Sequence, residues 1–181
     1  MKKFELTDEF VTNVFGKKLF RIKALVAFGN VEKGELGGFI EKEDNLSHGG
    51  NAWVFGNARV SGDARVFDNA WVYGNAQVSG DAQVSGDALV YGDALVSGDA
   101  RVFGNADYAV VTGFGRYFRT TTFFRCKDKI LRVQCGCFYG DLAQFREIVK
   151  KTHGDSKYAK EYLAIADLME LHFSDECGGE Q

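Results

Sequence analysis

The sequence predicts a mainly β protein, a parallel β-helix of 18 residues per coil with an N-terminal β cap and a C-terminal α+β module. Three observations carry that reading. Valine recurs at every sixth position from Val54 through Val60, Val66 and onward to Val102. Alanine stands two residues before each, from Ala52 to Ala100. A Gly or Asp followed by an Asn or Asp separates the copies, as at Gly56-Asn57, Asp68-Asn69 and Gly86-Asp87.

Ala-x-Val is a short period-2 strand, so alanine and valine point inward and the intervening residue outward. The Gly-Asn/Asp step tolerates the backbone angles of a tight corner. One such unit cannot bury its inner face alone. Coiling places each strand on the one above, about 4.8 Å away, and three sides per coil enclose a narrow core of alternating small and aliphatic residues. The regular apolar face argues against a disordered tract.

Residues 1–36 read as a β-hairpin cap: "KKLFRIKALVAF" alternates as a strand, and "FVTNVF" pairs with it across Gly16-Lys17. Residues 37–107 form the helix. Counting back in sixes extends the register to "GFIEKE" and "DNLSHG", with Ile40 and Leu46 at the alanine position and Lys42 and His48 at the valine position of a degenerate first coil. Residues 108–181 are the α+β module. "DYAVVTGF", "TTTFFRCKD" and "ILRVQCGCF" read as three strands, with a turn at Lys127-Asp128-Lys129. A helix follows from an Asp141 N-cap, with Leu142, Phe145, Ile148 and Val149 at helical spacing and Gly154 as its stop. A second helix runs from Ser156, with Tyr158, Tyr162, Ile165, Leu168, Met169 and Phe173 on one side. The last residues, "SDECGGEQ", read as frayed.

The Val-x-Gly-Asn/Asp-Ala-x phrase resembles the hexapeptide repeat of left-handed parallel β-helices, which implies left-handed coiling. "GELGGFIEKEDNLS" and "TTFFRCKD…CGCFYG…THGDSKYAKEYL" extend a resemblance to uncharacterised β-helix proteins of phages and prophage-bearing gut bacteria. That resemblance implies a host-directed role. Proteins similar in the repeat commonly trimerise side by side.

Applied to the outward positions, the 18-residue period stacks Trp53, Trp71 and Leu89 in one column and Phe55, Tyr73 and Tyr91 beside it. An apolar side of this kind marks an interface. It can meet the chain's own cap or tail, other subunits, or a ligand. The second side carries the flat column Ser61, Ser79 and Ser97.

Net charge is −3, and residues 51–107 carry 3 basic against 7 acidic side chains. The repeat block is therefore a poor match for a DNA or RNA backbone. No apolar run reaches the roughly 18 residues of a membrane span, and no h-region follows the first lysines, so a cytoplasmic protein with reduced thiols is expected.

Hexapeptide-repeat acyltransferases resemble this chain in the repeat, but they need a histidine base, and only His48 lies near the coils. It reads as a capping residue. A zinc-dependent variant needs three histidines near the coils, whereas His153 and His172 lie in the tail helices. Cys135-Gly136-Cys137 places both thiols on one face of a strand. With Cys126, His153 or Cys177 they offer a zinc site, though buried core thiols suit the spacing better. No catalytic residue, metal or cofactor is assigned.

"GFGRYFRTTTFFR" interleaves Arg116, Arg119 and Arg125 with aromatic residues. Guanidinium groups beside Tyr117 and Phe118 suit a phosphate and a nucleobase. The expectation is a non-enzymatic homotrimer that sequesters a small anionic or nucleotide ligand, such as a host defence signal, or a host partner; the alternatives are an acyltransferase or a structural or assembly protein.

Overall fold

The computed structural model describes residues 2–174. The N-terminal hairpin joins β1 (Phe4–Thr12) to β2 (Lys18–Ala24), antiparallel, and β2 pairs antiparallel with β3 (Leu36–Ile40). The chain then coils as a β-solenoid. Its first side holds β4 (Trp53–Val54), β7 (Trp71–Val72) and β10 (Leu89–Val90). Its second holds β5 (Arg59–Val60), β8 (Gln77–Val78) and β11 (Leu95–Val96). Its third holds β6 (Arg65–Val66), β9 (Gln83–Val84) and β12 (Arg101–Val102).

The pairings among β4–β12 are parallel and 18 residues apart, as in Trp53↔Trp71↔Leu89. Every repeat alanine and valine from Ala52 to Val102 is fully buried. Corners close on residues of positive φ. A Cβ at Gly80 would lie 2.9 Å from the backbone N and O of Gly98 in the next coil, so that corner accepts only glycine without a shift. Asp68 takes the same region at φ 58, and its carboxylate accepts from Gly86 N at 3.3 Å.

The first coil departs from the six-residue count. Ile40 pairs with Val60 and Leu46 bridges to Val66, 20 residues apart rather than 18. Ile40 and Leu46 therefore take the valine position, not the alanine position. The physical reason is burial: the strict count drives Lys42 and His48 into the core. The slip of two instead buries Ile40 and Leu46 and leaves Lys42 in solvent, 2.6 Å from Asp63.

Within each coil the N–H groups donate toward the C-terminal end, as in Trp53 N to Ala70 O and Arg65 N to Ala82 O. The N-terminal end therefore presents carbonyls and the C-terminal end presents N–H groups. Buried groups of either kind need partners. At the N-terminal end Lys3 Nζ donates to Ala52 O at 2.8 Å. Asn45 Nδ2 donates to Gly62 O and Ala64 O, and β3 supplies Phe39 N to Ala58 O. At the C-terminal end the partners are acceptors: Asn105 Oδ1 for Leu89 N, Thr122 Oγ1 for Leu95 N, and Asp107 Oδ2 for Phe103 N.

The C-terminal module is an antiparallel sheet of four strands, where three were expected: β13 (Tyr108–Phe114), β14 (Arg119–Arg125), β15 (Leu131–Cys135) and β16 (Phe138–Asp141). Gly136, at φ 59, splits the third expected strand into a hairpin. Two helices cover one face, α1 (Leu142–His153) and α2 (Lys157–His172). Asp141 and Ser156 cap them as expected, accepting from Gln144 N and Ala159 N, and Gly154 ends α1 at φ 54. Phe123, Val133, Phe145, Val149, Tyr162 and Met169 pack into the module's own core, while Leu168 points to solvent. The frayed reading of 174–181 falls, past Ser174, outside the described residues. So does Cys177.

Candidate functional site

The expected ligand residues are divided by the structure. Arg116, Tyr117 and Phe118 sit in the β13–β14 turn, and Arg119 opens β14. Gly115 at φ 74 makes that turn, and its N–H donates to Glu161 Oε2 at 2.9 Å, which pins the turn to α2. The Arg116 and Arg119 guanidinium carbons lie 5.6 and 5.2 Å from the centroid of the Tyr117 ring. Phe118, at φ 51, is 73% exposed and does not line the cavity described below.

Arg125 does not join them. It closes the seven-residue strand β14, so about 20 Å of extended chain separates it from Arg119. Its Nη2 donates to Phe173 O at 3.0 Å and its Nε lies 4.0 Å from Asp107, which places it where the module meets the solenoid.

Arg116 and Arg119 border a cavity of about 210 Å³ between the two hairpin turns and the two helices. Phe138, Phe145, Val149 and Tyr162 supply its apolar wall. Its charged or titratable lining is Arg116, Tyr117, Arg119, Cys135, Cys137, His153 and Tyr162, with no carboxylate. Among the described residues neither arginine lies within 4.0 Å of a carboxylate oxygen. Burial, with Cys135 beside it, pushes the Tyr162 phenol up to about 12, so it stays a neutral hydrogen-bond donor.

Sequence reasoning kept the thiols and His153 apart from the arginines. The hairpin at Gly136 brings them together. Cys135 ends β15 and accepts from Thr121 Oγ1 at 3.2 Å. Cys137 lies in the turn itself, not on a strand, and is exposed. A Cβ on Gly136 would lie 2.5 Å from Arg119 Nη1, so the guanidinium rests on the turn. The only signal for this in the sequence is the glycine between the two cysteines.

Cys126 is elsewhere: it is buried, bridges to Ala100, and its thiol is pushed up to about 12 by burial. Among the described residues no three His, Cys, Asp or Glu side chains converge as metal ligands. His48 accepts from Lys3 N at Nδ1, faces Glu43 at 3.7 Å through Nε2, and stacks on Phe4 at 4.3 Å. Nδ1 ties the N-terminal segment to the first corner, and Nε2 faces the Glu43 carboxylate.

The aromatic side is also divided. Trp53 is fully buried under Phe28 and Phe4 of the cap, so it belongs to an intramolecular contact and to no exposed surface. At the other end Tyr91 meets Tyr108 edge-on, and Tyr108 Oη donates to Leu89 O. Between the two ends lie Phe55 and Trp71, 5.2 Å apart, and the stacked pair Tyr73 and Tyr91. Phe55, Trp71, Tyr73 and Leu89 are half-buried, and Tyr91 is 53% exposed. Among the described residues no helix is long and apolar enough to cross a membrane.

No curated protein matches the chain. Its coils are similar to the family described as the YdcK beta solenoid repeat, whose model matches residues 58–74, 64–80, 76–92 and 82–98, all within the solenoid and outside both caps.

Proposed function

We propose that the chain is a non-catalytic binding protein whose C-terminal module captures a small anionic ligand with a single aromatic ring, of the mononucleotide class. One observation carries this reading: in a chain of net charge −3, the cavity beside Tyr117 has Arg116, Arg119 and His153 in its lining and no carboxylate. Its volume of about 210 Å³ is below the roughly 300–1,000 Å³ of drug-sized pockets. One ring system fits there, with its phosphate against the Arg116 and Arg119 guanidiniums that line the cavity. Arginine forks match phosphate oxygens in pairs.

The resemblance to phage-borne β-helix proteins makes a host signalling nucleotide the natural cargo. The resemblance of the repeat to left-handed β-helices that trimerise side by side makes a trimer, joined through Phe55, Trp71, Tyr73, Leu89 and Tyr91, the natural assembly. The acyltransferase reading gains nothing from His48, whose Nδ1 accepts from Lys3 N and whose ring stacks on Phe4 of the cap.

Calorimetric titration with a panel of linear and cyclic mononucleotides tests the proposal. A charge-assisted hydrogen bond contributes about 1.5–3 kcal/mol, so Arg119→Ala weakens binding by about 10- to 150-fold. Arg125→Ala leaves affinity unchanged. Absence of binding across the panel, or equal affinity in Arg119→Ala, overturns it.

A further inference from the structure

The geometry points to a second activity in the same cavity: we infer that Cys137 and Cys135 form a thiol pair that reduces small anionic disulfides. The inference rests on the anion-binding reading of the pocket.

Four observations converge. Both cysteines line the cavity that Arg116 and Arg119 also line. Cys137 is exposed while Cys135 is partly buried, which distinguishes an attacking thiol from a resolving one. A single residue separates them, so their Cα atoms are at most about 7 Å apart even in an extended chain. Pairing of Cys135 with Phe138 folds that residue into a tight turn, which draws the two Cα atoms into the roughly 4.4–6.8 Å range a disulfide spans. Finally, Arg119 rests on Gly136, between the two thiols, so a carboxylate held by that guanidinium brings its disulfide to the turn.

The chemistry balances with the disulfide as oxidant. The Cys137 thiolate attacks one sulfur of R–S–S–R, forming a protein mixed disulfide and expelling R–S⁻. Cys135 gives its proton to water, attacks the Cys137 sulfur, and expels the second R–S⁻. Both leaving thiolates take protons from water. The substrate gains two electrons and the protein loses two hydrogens. Cys126 takes no part, being buried at the solenoid junction.

The test treats the reduced full chain with oxidised glutathione, which is anionic, or with hydroxyethyl disulfide, which is neutral. Tryptic peptides are then mapped by mass. The peptide 133–146 contains both cysteines and is expected to lose two hydrogens. Cys135→Ser is expected to trap a glutathione adduct on Cys137, and Cys137→Ser to lose the reaction. An Arg116→Ala/Arg119→Ala chain should react about tenfold more slowly with oxidised glutathione and at the parent rate with the neutral disulfide, the tenfold corresponding to about 1.4 kcal/mol. No crosslink in the peptide, or equal slowing with both disulfides, overturns the inference. A crosslink that forms in a chain binding no nucleotide retains the thiol activity and removes the nucleotide reading, so the two failures are distinct.

Discussion

The two solenoid ends have opposite hydrogen-bond polarity, so one substitution, Asn to Asp, is expected to be costly at the carbonyl end and tolerated at the N–H end. Asn45 is fully buried at the carbonyl end. Its amide donates to Gly62 O at 3.0 Å and Ala64 O at 2.8 Å, and its Oδ1 accepts from Lys42 N at 2.9 Å. Asn45→Ala loses all three bonds; at about 1 kcal/mol each this costs about 3 kcal/mol. Asn45→Asp keeps the shape and the bond from Lys42 but aims a carboxylate at two carbonyl oxygens. An uncompensated buried charge costs about 3–5 kcal/mol, so Asp is the worse replacement at neutral pH, with partial recovery in acid as the carboxyl protonates. Asn105 is exposed at the N–H end, where its Oδ1 accepts from Leu89 N at 2.9 Å. A carboxylate serves there equally well, and Asn105→Asp should stay within about 0.5 kcal/mol of the parent. Urea unfolding followed by tryptophan fluorescence reads both. If Asn45→Asp is milder than Asn45→Ala, or if the two Asn→Asp changes shift the midpoint alike, the end-polarity argument is wrong.

Corner glycines should rank by their surroundings. Gly92→Ala meets nothing within 4 Å and bears only the strain of φ 66, about 1–2 kcal/mol, whereas Gly80→Ala also strikes the Gly98 backbone and loses more; equal thermal shifts would contradict this. Replacing Trp71 and Tyr73 with serine is expected to lower the native mass to that of a monomer; an unchanged mass removes this side as the subunit contact. Burial raises Cys126 from 9.0, and Tyr139 and Tyr162 from 10.0, each to about 12. Folded values above unfolded ones give stability that is intact below pH 9 and lost as pH rises toward 12. Burial lowers Lys3 from 10.5 to about 8, so its contribution runs the other way and grows between those values. Denaturant midpoints across pH 7–12 should therefore fall more steeply above pH 8 in Lys3→Met than in the parent, and parallel profiles would refute the Lys3 assignment.

The sequence alone determined the coil. A valine at every sixth residue has one way to bury its inner face, and both helix caps in the tail are local signals of two or three residues. Tertiary structure decided what local patterning does not encode. The first coil slips by two because burying Ile40 and Leu46 outweighs keeping the count. Trp53 and Trp71 occupy the same repeat position, yet only Trp53 lies under the cap, because Phe4 and Phe28 arrive from outside the repeat. Arg125 shares a strand with Arg119 but sits at its far end. Cys135, Cys137, His153 and Tyr162 become one cavity only when two helices fold over a hairpin that a single glycine creates. Spacing along the chain governs neighbours within a strand, a helix turn or a coil; contacts between separate elements depend on how their faces pack.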